Sequence, residues 1–329
     1  MVTSLAHSAQ SAQSAQSAQS AQSDQISGSK ILVTGVSGQI ALPLAQHLAA
    51  NNNVWGLARF TDPSSRSRVE ALGITPVQCD LAAGDLSAVP DDFDYVFHLA
   101  AYQGPGNDFD LALRENAEAT GFVLQHCRGA RAALVMSTHS VYKPHSDPWF
   151  SYCEIDPMGD VNPQHSPTYS VAKIGQEAVA RFCARAFNLP ITIARMNAAY
   201  GPAGGLPALH ADAIAAGSAV STRWDPCLYA PIFQDDINAQ ASALIGAAST
   251  PANIVNWSGD EAVSVQQWCA YAGELLGKNA EVVVRPIDGT LRGSVADVTK
   301  RTAITGPCTI GWQEGIRRTV QARHGGNAS

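Results

Sequence analysis

Short apolar runs and helical patterns alternate along the chain from Lys30 onward. Ile31–Thr34 is an apolar run typical of a strand covered on both faces, and Leu42–Ala50 carries a helical pattern after a glycine-rich turn. Helical periodicity returns over 111–127 and 168–187. Further strands are predicted at Val54–Phe60, Val77–Asp80, Tyr95–Leu99, Ala132–Ser137, Ile191–Met196 and Ile254–Trp257. The alternation predicts an α/β fold with a doubly wound parallel sheet.

Two stretches depart from this alternation. Residues 8–22 repeat Ser-Ala-Gln, a polar tract that buries too little apolar surface to offset the entropy of ordering it. Beyond residue 202 the chain is rich in loops, with helices predicted only near 263–277 and 311–323. The expected parts are a disordered leader over 1–28, a sheet domain over 29–202 and about 231–258, and a smaller lobe over 203–230 and 259–329.

The composition suits a globular chain with a large core, because 46% of the 329 residues are hydrophobic and 15% are charged. The net charge is -7 and no Lys/Arg-rich run is present, so we expect neither a nucleic-acid nor a membrane partner. The seven cysteines are scattered and never spaced as CxxC. This pattern favours free thiols in a reducing cytoplasm over a disulfide framework or a metal site.

The turn after the first strand reads Thr34–Ala41 and contains two glycines. Gly35 allows a tight turn, and Gly38 lets the backbone approach a pyrophosphate at the start of the following helix. In this strand–turn–helix context the pattern predicts a Rossmann dinucleotide-binding site. The predicted contacts from this turn are Gly35, Ser37, Gly38, Gln39 and Ile40.

The second strand ends at Ala58-Arg59, where an acidic residue would accept hydrogen bonds from the ribose of NAD. A guanidinium there favours NADP(H), since it binds a 2′-phosphate through its fork, and NAD(H) stays open as the other cofactor. Asp80 and Leu81 follow the third strand, where they are expected to meet the adenine. After the fourth strand, Leu99, Ala100 and Ala101 are expected to let the cofactor pass close to the backbone.

Tyr169 and Lys173 lie four residues apart in a predicted helix, so their side chains share one face. A phenol is a poor base at neutral pH, but a neighbouring ammonium and the positive ring of an oxidised nicotinamide both favour the phenolate. Thr138, at the end of the fifth strand, adds a hydroxyl that can position the reacting oxygen against Tyr169. The three residues predict proton transfer coupled to hydride transfer.

These motifs resemble those of the extended short-chain dehydrogenases/reductases, the group that includes nucleotide-sugar epimerases and dehydratases. The resemblance implies that Tyr169 is the general acid/base, that Lys173 binds the nicotinamide ribose, and that Thr138 completes the triad. Asn116 matches an asparagine that helps to hold the active-site helix. The helices over 111–127 and 168–187 often form a dimer interface in this group, so we expect a homodimer. The matching segments are TGVSGQIA (34–41), CDL (79–81), HLAA (98–101), ENAEATG (115–121), STHSVY (137–142), YSVAK (169–173) and RMNAAYGP (195–202), with weaker matches at FQDDI (233–237) and NWSGDEAVSV (256–265).

The chain departs from the pattern of this group at three places. His139-Ser140 stands where 4,6-dehydratases carry an acid pair, which makes elimination of water by that route doubtful. The stretch 228–231 lacks the arginine with which epimerases clamp the substrate pyrophosphate. An asparagine commonly found two residues before Tyr200-Gly201-Pro202 is replaced by Ala198. Other cations remain within the chain for a phosphate: Arg223, Arg285 and Arg292.

The expected substrate pocket is rich in aromatic side chains, which suits an apolar or ring-containing small molecule. His139 is either a second proton carrier or a residue of the pocket wall. The leading predicted function is a reversible NAD(P)(H)-dependent oxidoreductase acting on a carbonyl or secondary alcohol. The alternatives are an NAD-dependent nucleotide-sugar epimerase with retained cofactor and a non-catalytic dinucleotide sensor. The expected pocket residues are Tyr102, Thr138, His139, Trp149, Tyr200 and Tyr229.

Overall fold

The structure is a computed structural model that describes residues 26–160 and 167–325. Residues 1–25, most of the predicted disordered leader, lie outside the described residues. Within the described ranges a seven-stranded parallel sheet forms the centre, in the order β7-β6-β5-β4-β1-β2-β3. Its strands are β1 Lys30–Thr34, β2 Asn53–Ala58, β3 Thr75–Gln78, β4 Tyr95–His98, β5 Ala132–Thr138, β6 Ile191–Met196 and β7 Asn253–Trp257. The predicted doubly wound parallel sheet is confirmed.

Alternate side chains of each strand enter different cores on the two faces of the sheet. Ile31 and Val33 pack into one hydrophobic cluster, while Leu32 between them packs into the other. All three side chains are buried, which explains why β1 reads as an unbroken apolar run. The strand order reverses its direction between β1 and β4, so a crevice opens there at the carboxyl ends of the strands.

The helices cover both faces of this sheet and extend into the rest of the chain. One predicted helix differs from expectation: the segment 111–127 contains a π-helical turn at Arg114–Glu118 between two short α-helices. The predicted helix over 168–187 forms over Tyr169–Ala186. In the described residues the α-helices are α1 Ala41–Ala49, α2 Pro63–Ala71, α3 Phe109–Leu113, α4 Ala119–His126, α5 Tyr169–Ala186, α6 Leu206–Ala215, α7 Gln234–Gly246, α8 Val265–Leu276, α9 Thr299–Thr305 and α10 Trp312–His324.

A separate hydrophobic cluster lies away from the central sheet, around Trp268 and Ile316. It takes side chains from both stretches assigned to the smaller lobe, although Tyr200 and Phe233 also belong to it. The division at residues 202, 230 and 258 stays a prediction. No helix among residues 26–160 and 167–325 is long and apolar enough to cross a bilayer. The remaining short strands are Ser151–Tyr152, Ala199–Gly201, Gly204–Gly205, Val220–Thr222, Leu228–Tyr229, Ile232–Phe233, Val263–Ser264, Val282–Val284 and Gly293–Ala296.

Candidate active site

A cleft of about 1000 Å³ lies at the carboxyl ends of the central strands. It brings together residues that the sequence separates by more than 190 positions, from the glycine-rich turn to Tyr229. Most of the predicted site residues line it. They are Gly35, Ser37, Gly38, Gln39, Ile40, Arg59, Asp80, Leu81, Leu99, Ala100, Ala101, Tyr102, Thr138, His139, Tyr169, Lys173 and Tyr229.

The glycine-rich turn forms a cradle that larger residues would fill. Gly35 has a φ of 67°, and a Cβ there would lie 2.8 Å from the Cα of Ala100. The amide of Gly38 donates to the carbonyl of Gly35 at 2.8 Å, which closes the turn just before α1. Backbone therefore lines the cleft beside a helix N-terminus, where a pyrophosphate is favoured by the free N–H groups and the helix dipole. The cradle fits a dinucleotide.

A buried chain of hydrogen bonds holds the backbone opposite this cradle. The hydroxyl oxygen of Thr34 accepts from the amides of Leu99 and Ala100, both at 3.2 Å. The same hydroxyl lies 2.8 Å from Nδ1 of His98, whose Nε2 lies 2.8 Å from the hydroxyl of Thr120. Burial lowers the pKa of His98 to about 3, so the imidazole is neutral. His98 is thus a core residue that orients the cleft wall.

The adenosine end of the cleft carries opposite charges side by side. Arg59 is more than half exposed, and its Nη1 lies 3.6 Å from a carboxylate oxygen of Glu115. Glu115 also lines the cleft, although the sequence analysis did not select it. Asp80 caps the short turn that follows β3 by accepting from the amide of Ala82 at 3.2 Å. The carboxylate of Glu115 partly compensates the positive charge of Arg59, which was the reason to expect a 2′-phosphate.

Tyr169 begins α5 and meets the end of β5 across the cleft. Its hydroxyl hydrogen-bonds the side chains of Thr138 and Gln103, of which Gln103 was not predicted. Burial raises the pKa of Tyr169 above its usual value, and these two hydrogen bonds oppose the rise. Burial therefore outweighs the lowering of this pKa that the sequence analysis expected from Lys173.

Lys173 is buried one turn further along α5. Its ammonium donates to the carbonyl of Met136 at 2.6 Å, which anchors the helix to the neighbouring strand. Burial lowers the pKa of Lys173 to about 7, while the carboxylate of Glu177 acts in the opposite direction. Lys173 therefore gains or loses a proton close to neutral pH.

An ion pair lies beneath these residues, and the sequence analysis missed it. Arg195 donates to both oxygens of the Glu177 carboxylate, at 2.9 Å from Nε and 2.8 Å from Nη2. Ser137, the neighbour of Thr138, donates to the same carboxylate at 2.6 Å. Both charged side chains are at most 2% exposed. One signal was present, since Glu177 follows Lys173 by four residues on the same helix face.

His139 is buried in the wall of the cleft beside Thr138. Its Nε2 lies 3.2 Å from the hydroxyl of Ser258, and its Nδ1 has no hydrogen-bond partner among the described residues. Burial, helped by the charge of Arg195, lowers the pKa of His139 to about 3. A neutral imidazole at working pH favours the pocket-wall interpretation over that of a second proton carrier.

Asn116 lies in the π-helical turn and holds the loop that carries Tyr102. Its carboxamide accepts from the amide of Tyr102 at 2.9 Å and donates to the carbonyl of the same residue at 3.1 Å. It also donates to the carbonyl of Ala112 at 3.0 Å. Asn116 therefore supports one wall of the cleft without lining it.

Two of the predicted pocket residues lie outside the cleft lining. The side chain of Trp149 is 57% exposed on the surface. Tyr200 is buried in the cluster around Trp268, and its hydroxyl donates to the carbonyl of Trp312 at 3.1 Å. The cleft instead contains polar residues outside the predicted pocket set, among them Asn197 and Ser294, together with Arg223, one of the three cations named for a phosphate.

Comparisons with known proteins identify a family and a shared fold. A family model described as the NAD dependent epimerase/dehydratase family matches residues 31–220. A curated relative, an uncharacterized UDP-glucose epimerase of Bacillus subtilis, is 29% identical over 189 residues, which cover 53% of this chain and 57% of the relative. The chain thus matches little more than half of that relative's length.

Solved structures share the fold over almost the whole chain. UDP-glucuronic acid 4-epimerase from Bacillus cereus, in complex with UDP-glucuronic acid and NAD, has a TM-score of 0.77 at 23% identity, and the match covers 89% of this chain and 98% of that one. UDP-glucose 4-epimerase from Thermus thermophilus, in complex with NAD, has a TM-score of 0.77 at 21% identity, and the match covers 90% and 99%. At these identities the likeness establishes the fold.

Proposed function

Because this chain belongs to the NAD dependent epimerase/dehydratase family, we propose that it inverts a carbinol centre of a nucleotide-linked sugar with a dinucleotide that stays bound. The observation that carries the proposal is a single cleft holding both the glycine cradle and Thr138, Tyr169 and Lys173. This is the alternative function predicted from the sequence. The UDP-sugars held by the solved relatives support the substrate class.

The leading sequence-based prediction, net redox chemistry on an apolar molecule, has less support. Two of the aromatic side chains expected in the pocket, Trp149 and Tyr200, lie elsewhere. Polar side chains occupy the cleft instead, including Asn197, Arg223 and Ser294. A polar lining suits a ligand with many hydroxyl or phosphate oxygens.

The chain's own part in the reaction is the handling of a proton. Tyr169 takes the proton of the substrate hydroxyl as the carbinol carbon is oxidised and returns it when the carbonyl is reduced. Thr138, within hydrogen-bond reach of Tyr169, holds the same substrate oxygen. Lys173 fixes the helix that carries Tyr169, and its protonated form supplies positive charge beside the reacting groups. When bound, the dinucleotide would supply reversible hydride transfer at the carbinol carbon.

NAD is the cofactor that the site favours, in place of the NADP(H) preferred from the sequence. Gly35 and Gly38 would hold its pyrophosphate, and Asp80 lies at the adenosine end. The carboxylate of Glu115 beside Arg59 disfavours a 2′-phosphate there, since it partly compensates the guanidinium charge and repels an anion. The solved epimerase relatives hold NAD.

The assembly we propose is the homodimer expected from the resemblance. Large apolar side chains are exposed on the adjacent helices α4 and α5, with Phe182 66%, Val171 44% and Phe122 37% exposed. A second copy of the same helices would cover them. We also propose the cytoplasm as the location, because all seven cysteines are free thiols.

The test is to release the cofactor from purified protein with acid and then to assay the protein for epimerisation. We expect close to one NAD per chain, and conversion of UDP-glucose or UDP-glucuronic acid to the epimer without accumulation of NADH. Tyr169→Phe should lower turnover by about 10²- to 10⁴-fold while the bound NAD stays unchanged. Tyr271→Phe is the matched control, since Tyr271 packs on Trp312 outside the cleft lining.

Three outcomes would contradict the proposal. Stoichiometric NADH formation with an alcohol would restore the oxidoreductase prediction. Release of NADP without NAD would indicate that Arg59 binds a 2′-phosphate on the adenosine ribose. Near-normal turnover in Tyr169→Phe would remove Tyr169 from the chemistry.

A further inference from the structure

Ser137 precedes Thr138 on β5, and we infer that it is a positioning residue that aligns Thr138 with Tyr169 across the cleft. Its hydroxyl donates to Oε1 of Glu177 on α5 at 2.6 Å. Ser137 lines the cleft but is only 2% exposed, and its one hydroxyl proton is donated to this carboxylate. It therefore acts on the reaction through the placement of its neighbour. This inference rests on the proposed function for the roles of Thr138 and Tyr169.

Two hydrogen bonds fasten α5 to β5, about one helical turn apart. Besides the bond from Ser137 to Glu177, the ammonium of Lys173 donates to the carbonyl of Met136 at 2.6 Å. Lys173 and Glu177 share one face of α5 because they are four residues apart, and Met136 and Ser137 are consecutive on the strand. A single bond would let the helix swing about one point, whereas two bonds fix its direction relative to the strand.

The same two bonds fix the reacting groups, because each group lies close along the chain to one of them. Thr138 follows Ser137 directly, and Tyr169 lies one turn before Lys173 on α5. The two reacting hydroxyls thus extend from the two elements that the bonds join. A displacement of about 1 Å between groups that must share a substrate oxygen can cost about 10²-fold in rate. The alignment of Thr138 with Tyr169 therefore depends on the bond from Ser137.

Arg195 holds the acceptor of this bond in place. It lies opposite Ser137 in the register of β5 and β6, so both side chains reach Glu177 from the same face of the sheet. Its Nε donates to Oε1 of Glu177 at 2.9 Å and its Nη2 to Oε2 at 2.8 Å, which fixes the plane of the carboxylate. The guanidinium is itself held by the carbonyl of Glu154 at 3.0 Å, and its Cζ lies 4.8 Å from the ring centroid of Tyr142. The hydroxyl on β5 thus meets an acceptor that cannot turn away.

The chain offers a matched control for Ser137 in Thr192. Thr192 lies on β6 of the same sheet, is fully buried, and its hydroxyl donates to the carbonyl of Leu244 at 2.7 Å. The described residues that line the cleft do not include it. Ser137→Ala and Thr192→Val each remove one buried hydroxyl that donates a short hydrogen bond, but only the first of these bonds joins β5 to α5.

The experiment measures epimerisation of UDP-glucose or UDP-glucuronic acid, and separately the hydrogen exchange of α5, in the NAD-loaded proteins. We expect Ser137→Ala to lower kcat about 10- to 100-fold, with KM and NAD content within about twofold of wild type. Thr192→Val should keep kcat within about twofold. In the Tyr169→Phe background Ser137→Ala should cost less than about twofold, because the lost alignment no longer serves a proton transfer. The amides of residues 172–177 should exchange about tenfold faster in Ser137→Ala than in wild type.

Three results would overturn the inference. Equal losses of kcat in Ser137→Ala and Thr192→Val would indicate general destabilisation instead of alignment. A loss from Ser137→Ala that persists undiminished in Tyr169→Phe would show that Ser137 acts apart from Tyr169. Unchanged exchange over residues 172–177 would show that the bond does not hold α5. Because exchange needs no substrate, a wild-type protein that does not epimerise would contradict the proposed function alone, and exchange would still decide this inference.

Discussion

Glu177→Gln is the substitution from which we expect the largest loss of stability per atom changed. The substitution replaces one carboxylate oxygen by the NH₂ group of an amide. It thereby removes the negative charge that faces Arg195. Three hydrogen bonds converge on that carboxylate: one from Ser137 at 2.6 Å and two from Arg195 at 2.9 and 2.8 Å. Because Arg195 is only 1% exposed, water cannot replace the lost partner.

The expected cost follows from leaving this charge buried. Removing one member of a buried ion pair typically costs about 3–5 kcal/mol. Two of the three hydrogen bonds reach the same oxygen, Oε1, which an amide carbonyl can still provide. We therefore expect a loss at the lower end, about 3 kcal/mol in the free energy of unfolding. The substitution should also lower the pKa of Lys173 further, because the charge of Glu177 raises that pKa in the wild-type protein.

Glu70→Gln is the control for this measurement, because Glu70 pairs with Arg66 at 3.2 Å where both side chains are about half exposed. A surface helix pair of this kind contributes about 0.3–0.5 kcal/mol. The assay is urea unfolding of the NAD-loaded proteins, followed by tryptophan fluorescence. A loss below about 1 kcal/mol in Glu177→Gln, or a loss no larger than that of Glu70→Gln, would refute the reasoning from burial.

Three further predictions concern residues of the cleft. Burial places the folded-state pKa of Lys173 at about 7, below the usual 10.5, so the unfolded chain binds more protons between these values. We therefore expect the free energy of unfolding to rise between pH 7 and pH 9 in cofactor-free wild type relative to Lys173→Met, as measured by urea titration. A fall over this range would contradict the lowered pKa of Lys173. Gly35→Ala should abolish NAD retention, since its φ of 67° is strained for alanine and its Cβ would meet the backbone of Ala100. Gly217→Ala, with a φ of 73° and open space, should keep NAD at wild-type content measured by acid release. His139→Asn should retain every inflection of the wild-type pH–rate profile between pH 5 and 8, because the pKa of His139 is about 3, and a lost inflection would restore it as a proton carrier.

Local patterns predicted the parts of the site that belong to regular elements. The apolar run of β1 and the glycines after it depend on neighbouring residues alone, so the cradle was recognisable. The spacing of Tyr169 and Lys173 requires only a helix, and the helix forms. Thr138 was placed because carboxyl ends of parallel strands share one edge of a sheet.

The missed features depend on contacts between distant segments. Tyr200 reads as a pocket residue, but its hydroxyl bonds to Trp312, more than a hundred residues later. The π-helical turn at Arg114–Glu118 interrupts a regular helical pattern where the side chain of Asn116 turns to the Tyr102 loop. The pairing of Arg59 with Glu115 joins a strand end to a helix, so no pattern among neighbouring residues predicts it.

The order of strands in the central sheet determines which strand edges stay unpaired while the chain is being synthesised. β6 pairs with β5 on one side and with β7 on the other, yet residues 197–252 separate β6 from β7. As the chain leaves the ribosome, the outer edge of β6, apart from the bridge between Ile191 and Ser249, has no strand partner until β7 has emerged. An unpaired edge of apolar residues is a template for strands of other chains. Nascent or truncated chains that end before β7 should therefore aggregate, and chaperones should engage this protein most strongly in that interval.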